Sequence, residues 1–326
     1  MRRFLSAALA AIGGFALLAW IVWRAGVSDI AADLRQIGWT MAAIVAIGGL
    51  RFLLRAIAWR MCLDPPHTMT LGAAFSAVVC GDTIGNLTPL GPLVGEPAKA
   101  AYVRGRVALG PAITALAIEN VLYTLSAAAM IAAGTVALLV RFQVPSEIRG
   151  AGELAVAATL LLFALALWML WRQPALISRA LGLAPPLRRH AERFTAIESQ
   201  IYTFASRHRT ALPGLVAAEI GFHALGVSEI YVTLWALNGS PPPLMLAFIL
   251  ETANRLVTVV FKIVPMRLGV DEVATGYVSQ LLGLGTRPGI SLAIVRKGRM
   301  LVWMLVGGLL LVREIFPGKN PQLPQD

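Results

Sequence analysis

Residues 81–103, GDTIGNLTPLGPLVGEPAKAAYV, are apolar enough for a membrane yet are interrupted by Pro89, Pro92 and Pro97 and by Gly85, Gly91 and Gly95. Proline removes a backbone donor and clashes with the preceding turn, so one helix cannot run undisturbed through all three. In hydrocarbon, the backbone groups freed in this way must find partners in protein or in a wet cavity. A second stretch, residues 256–278, LVTVVFKIVPMRLGVDEVATGYV, repeats the order: an apolar run, Pro265, Gly269, then Asp271 and Glu272. Broken helices in corresponding halves of a chain are the sequence pointer to a ligand site near the bilayer midplane.

The surrounding sequence fixes the class. With 57% hydrophobic and 14% charged residues, the chain carries more apolar surface than a soluble core can hide. The expected fold is an all-α polytopic membrane protein, a single membrane domain over 1–326. Six full spans are expected at about 4–23, 39–62, 109–140, 152–171, 213–237 and 289–312, with broken hairpins at 71–103 and 244–283. The first span follows Met1-Arg2-Arg3 without a small-residue cleavage site, which reads as a retained anchor. Net charge +11 does not imply nucleic acid, because the basic residues flank apolar spans and fit anionic headgroups instead. The positive-inside rule puts both termini and the arginine-rich 173–212 segment in the cytoplasm of a cell whose inner membrane holds the protein. That segment reads as amphipathic and lying on the inner leaflet. Cys62 and Cys80 read as packing residues, and no metal or cofactor set is present; Glu219 and His223 alone are too few ligands.

Pro89 and Pro265, and Glu96 and Glu272, are each 176 positions apart, so 39–140 and 213–313 read as two repeat units joined by 151–212. Each hairpin returns the chain to its starting side, so the first opens from the cytoplasm and the second from outside, an inverted pair.

The ionisable residues at membrane depth carry the chemistry, since each is costly against lipid and must pair or line a pathway. The expected substrate-binding set is Asn86, Thr88, Gly91, Gly95, Glu96 and Lys99 in the first half. In the second it is Arg255, Lys262, Arg267, Asp271 and Glu272. Pro89, Pro92, Pro97 and Pro265 read as hinges, and a half-helix starting near Pro97 would aim its amides at an anion such as phosphate. Glu119 and Arg296, at nearly equivalent places in the two units, are expected to pair near the pseudo-axis. Arg55 and Arg60 read as able to reach the headgroups, whereas Arg51 is too deep.

Gly95-Glu96-Pro97, with Pro265 and Gly269-Val270-Asp271-Glu272, resembles the lysylphosphatidylglycerol synthase/flippase-like membrane domain family, the membrane half of the multiple peptide resistance factor and its hopanoid-associated relatives. Here Glu119-Asn120 stands where that family's pattern has Glu-Arg. The resemblance implies movement of anionic, modified-headgroup or isoprenoid lipids between leaflets. The synthase half of the family name is not expected to apply, because only a short tail follows Arg313. The expectation is therefore a non-enzymatic flippase working by alternating access, with membrane lipids and a lipid-synthesis enzyme as partners. An intramembrane headgroup-modifying enzyme, with His223 and Ser228 or Glu219, and a non-transporting scaffold are the rivals.

Overall fold

A computed structural model describes residues 23, 26–88, 91–173, 191–261 and 264–315, all helix and connecting turns with no strand among them. Eleven α-helices follow in order: α1 Val27–Ile37, α2 Thr40–Met61, α3 Leu71–Leu87, α4 Pro92–Tyr102, α5 Leu109–Arg141, α6 Ser146–Arg172, α7 Ala191–Arg207, α8 Leu212–Asn238, α9 Leu244–Val260, α10 Val270–Leu281 and α11 Thr286–Ile315. Helices α2, α5, α6 and α8 are long and apolar enough to cross a membrane. Helix α11 has the length but carries Arg296, Lys297 and Arg299 mid-way. The expected first span lies almost wholly outside the described residues, as does 174–190 of the amphipathic connection.

Local chemistry sets the breaks. Thr70 caps α3 by accepting from the Ala73 N–H, and α3 ends at Leu87 ahead of Pro89, itself outside the described residues. Helix α4 starts at Pro92 behind Gly91, whose φ of 39° suits glycine. The helix start expected near Pro97 is thus corrected: the chain is helical five residues earlier, where proline costs nothing at the first turn, and Pro97 lies inside α4. In the second half, α9 gives way to a 3-10 turn, Pro265–Arg267. Met266 and Arg267 both adopt the left-handed region there (φ 49° and 50°), at about 1–3 kcal/mol each.

Helix α2 packs on α8 at the centre. Around them the contacts alternate: α3 on α4 and α11, α9 on α10 and α5. Two close approaches seal the cross-contacts. A Cβ at Gly307 of α11 would run into the Thr83 hydroxyl of α3, with Thr83 Cβ at 3.0 Å, and one at Gly134 of α5 into the Thr252 hydroxyl of α9, with Thr252 Cβ at 2.6 Å. Small residues let membrane helices come this near. Helices α3 and α4 meet backbone to backbone, since a Cβ at Gly81 would lie 2.7 Å from the Gly95 carbonyl and one at Gly95 2.7 Å from that of Gly81. Helix α1 is stapled to the start of α11 by Arg287–Asp33 at 2.5 Å and Ser291–Asp33 at 2.6 Å.

Candidate functional site

The ionisable side chains that the apolar spans could not leave in lipid converge where α2, α3, α4, α5, α8, α9, α10 and α11 meet. On α2, Arg51 and Arg55 are one turn apart and both lie against the Phe222 ring of α8, but they take different carboxylates. Arg51 pairs with Glu229 of α8 at 3.0 Å and approaches Glu251 of α9 at 3.7 Å. Arg299 of α11 takes the other oxygen of Glu229 at 2.8 Å, so this carboxylate ties three helices together. Glycine makes the room: a Cβ at Gly48 would meet Arg299 Cδ at 2.8 Å, and one at Gly226 would meet Glu251 Cδ at 2.9 Å.

Arg55 does not reach headgroups as expected. Its side chain is buried, with Glu119 at 2.7 Å and Glu219 at 3.7 Å. Arg55 also donates to the side-chain Oδ1 of Asn120 at 3.4 Å, and Asn120 passes the connection on by donating through its side-chain amide to Glu96 at 3.0 Å. Lys99 completes this corner by pairing with Glu96 at 2.7 Å. The expected Glu119–Arg296 pair is not formed. Glu119 is taken by Arg55, and Arg296 lies on Asp271 at 2.8 Å, because α10 brings an acid within one connection of α11. Arg51 and Glu229, 178 positions apart, do pair.

The second-half acids are fully dry. Asp271 and Glu272 open α10, at 0% exposure, with Lys297 2.7 Å from Glu272 and 3.5 Å from Asp271. Arg255 is held by Glu251 on its own helix and donates to the Tyr123 hydroxyl of α5 at 3.2 Å. Phe222 of α8 sits among the guanidinium groups of Arg51, Arg255 and Arg55, at 4.6, 4.9 and 5.8 Å from the ring centre.

Of the expected binding residues, then, Glu96 and Lys99 join the Arg55 corner, Arg255 pairs with Glu251 beside Arg51, and Asp271 and Glu272 form a neighbouring buried group with Arg296 and Lys297. Asn86 and Thr88 do not join it: Asn86 donates to Asp82 on its own helix and Thr88 to the Gly85 carbonyl. Gly91 and Gly95 serve the close approach of α3 and α4 rather than an open main chain. Arg267 has no ion pair among the described residues, and its Nε is buried without a hydrogen-bond partner. Its turn packs on α3, where Asp82 is the facing carboxylate. Lys262 and Pro89 lie outside the described residues, and Pro92 and Pro265 are described in backbone only.

Sequence reasoning passed over Ser126 and Tyr123 of α5 and Phe222 of α8, ordinary residues in apolar helices whose role is visible only once the helices are packed. Counting Asp82, Glu96, Glu119, Glu219, Glu229, Glu251, Asp271 and Glu272 against Arg51, Arg55, Lys99, Arg255, Arg267, Arg296, Lys297 and Arg299, acids and bases are equal in number. Ion pairs in a dry interior need such balance, since an unmatched charge there costs several kcal/mol. Beside the network, a cavity of about 450 Å³ opens between α1, the Pro265–Arg267 turn and α11; its walls include Leu34, Ile37, Met41, Met266 and Leu268, and among the described residues its charged wall residue is Lys297.

A family model, Lysylphosphatidylglycerol synthase TM region, matches residues 4–308. No curated protein and no solved structure matches the chain.

Proposed function

We propose that this chain, which belongs to the lysylphosphatidylglycerol synthase TM-region family, is a lipid translocase that carries a lipid with an anionic or modified headgroup between leaflets. The observation that carries the reading is the buried, charge-balanced network at the junction of two broken helix pairs, α3–α4 and α9–α10. A purely structural bundle has no use for so many charges at membrane depth, where each marks a pathway or relay by default. The family ties the chain to membrane lipids. The cavity at Lys297 adds an apolar wall for a hydrocarbon chain next to a cation.

In this reading α2–α5 and α8–α11 are inverted halves, with six spans, two re-entrant pairs, and both termini cytoplasmic in the inner membrane. The paired cross-contacts α3–α11 and α9–α5 support it, because a pseudo-two-fold axis through α2 and α8 exchanges one for the other. Alternating access is then a rocking of the halves about that axis. Ion pairs that span the halves, such as Arg51–Glu229 and Arg55–Glu219, exchange partners as the furrow opens to either side.

An intramembrane enzyme has one observation in its favour, the Ser126 Oγ at 3.0 Å from His223 Nε2. Nucleophilic catalysis also needs the histidine oriented from its other nitrogen. Here Glu219 accepts from Ser126 instead, and the Nδ1 of His223 is buried without a partner. The separating experiment measures headgroup turnover and fluorescent-lipid movement side by side in proteoliposomes of the purified chain. Movement without turnover is expected; turnover lost in Ser126→Ala would establish the enzyme.

A further inference from the structure

Ser126 of α5 lies among three polar atoms. Its Oγ is 2.9 Å from Glu219 Oε2, 3.0 Å from His223 Nε2 and 2.9 Å from the Tyr123 carbonyl oxygen. A hydroxyl has one proton to give and two lone pairs to receive with. When Glu219 is ionised, Ser126 donates to the carboxylate and His223 donates through Nε2–H to Ser126. When Glu219 is protonated, the acid O–H donates to Ser126, and Ser126 turns its own proton to the Tyr123 carbonyl. Both patterns use the same heavy atoms at the same distances, so a proton can enter or leave with no side chain displaced.

The other oxygen of Glu219 faces Arg55, which is already held by Glu119. One guanidinium thus serves two carboxylates whose side chains are 2% and 8% exposed. Glu96, which is 29% exposed and carries Lys99 as its own cation, adjoins this corner through Asn120, so the two dry carboxylates share Arg55 alone. Carboxylates that share a dry site and outnumber their cations favour a proton held between them. The facing groups from the other helices are Arg51 of α2 and Glu251 and Arg255 of α9. Helix α11 brings its Arg299 to Glu229, and α1 meets the far end of α8, where Gln36 donates to the Ala236 and Leu237 carbonyls and Ile37 packs beside Val232. The Nδ1 of His223 is buried without a hydrogen-bond partner.

We propose that Glu119 and Glu219, linked through Ser126 to His223, form a binding site for one exchangeable proton, and that this proton drives the conformational cycle. The carboxylate takes the proton from water and returns it to water; no other bond is made or broken. The coupling rests on the translocase reading, whereas the proton site does not.

Infrared difference spectra of the full chain in phosphatidylglycerol and phosphatidylethanolamine liposomes, taken between about pH 5 and about pH 8, test the site directly. A carboxylic-acid C=O band that shifts in D₂O and titrates in this window is expected. It should vanish in Glu219→Gln, weaken in Glu119→Gln and move in Ser126→Ala, which keeps both carboxylates. No such band, or an unchanged band in both glutamine variants, overturns the site. Movement of fluorescent phosphatidylglycerol under an imposed pH gradient then tests the coupling. The wild-type rate should follow the gradient and Ser126→Ala should not. A titrating band without any lipid movement keeps the site and sinks the translocase. Movement indifferent to the gradient overturns the coupling.

Discussion

Glu229 shows how one side chain holds the interior together: its two oxygens are divided between Arg51 and Arg299, and so between α2, α8 and α11. Glu229→Ala leaves two buried guanidinium groups short of a counter-charge, and breaking a buried pair from one side costs about 3–5 kcal/mol. Thermal unfolding of the purified protein should show this, with Glu229→Gln recovering part of the loss through its remaining acceptor oxygen. Gly226 is the complementary case, because a Cβ there enters the space of the Glu251–Arg255 pair; Gly226→Val should lower lipid movement by disturbing that pair. At the edge, burial pushes the Asp33 carboxyl up, but hydrogen bonds from Arg287 and Ser291 outweigh it and hold the carboxyl below its ordinary value. Its contribution is therefore complete above the unfolded value of about 3.9 and is lost as pH falls through the lower folded value. Asp33→Asn should reduce the melting temperature at about pH 7 and flatten the acid side of its pH profile.

At the scale of elements, the two broken pairs are joined to the long helices by glycine–threonine contacts. Gly307 and Gly308 make a sharp comparison: a side chain at 307 meets Thr83, whereas one at 308 has nothing within 4 Å. Gly307→Val should destabilise by about 1–3 kcal/mol through overpacking, and Gly308→Val should be nearly silent in the same melt. That the helices break was legible in the sequence because proline and glycine act locally, with Pro265 and Gly269 bracketing the turn before α10; which proline opens α4 was not, since the start expected near Pro97 falls at Pro92 behind Gly91. Partner choice was not legible. Glu119 and Arg296 fit the repeat spacing, but packing gave each a nearer partner, Arg55 across α2–α5 and Asp271 across α10–α11. Side-chain rotation about a helix of 3.6 residues per turn decides such matches, and spacing along the chain alone does not fix it.

For the whole molecule, inversion of the halves makes a prediction about sidedness. With the buried Cys62 and Cys80 replaced by alanine, a cysteine at exposed Gly105 should react with a membrane-impermeant maleimide only from the cytoplasm, and one at exposed Ser240 only from outside. Both reacting from one side would remove the inverted arrangement. The overall class followed from hydropathy and charge because the membrane imposes its constraint on every span at once. The network's chemistry emerged only from the packing of helices distant in sequence, as in Arg51–Glu229, 178 positions apart. Movement of fluorescent phosphatidylglycerol in proteoliposomes of the purified chain, compared with Glu96→Gln and Glu272→Gln, tests the translocase most directly. Movement by the wild type and a loss of about tenfold or more in each variant, equivalent to about 1.4 kcal/mol of barrier, is expected; no movement, or variants as fast as the wild type, contradicts it.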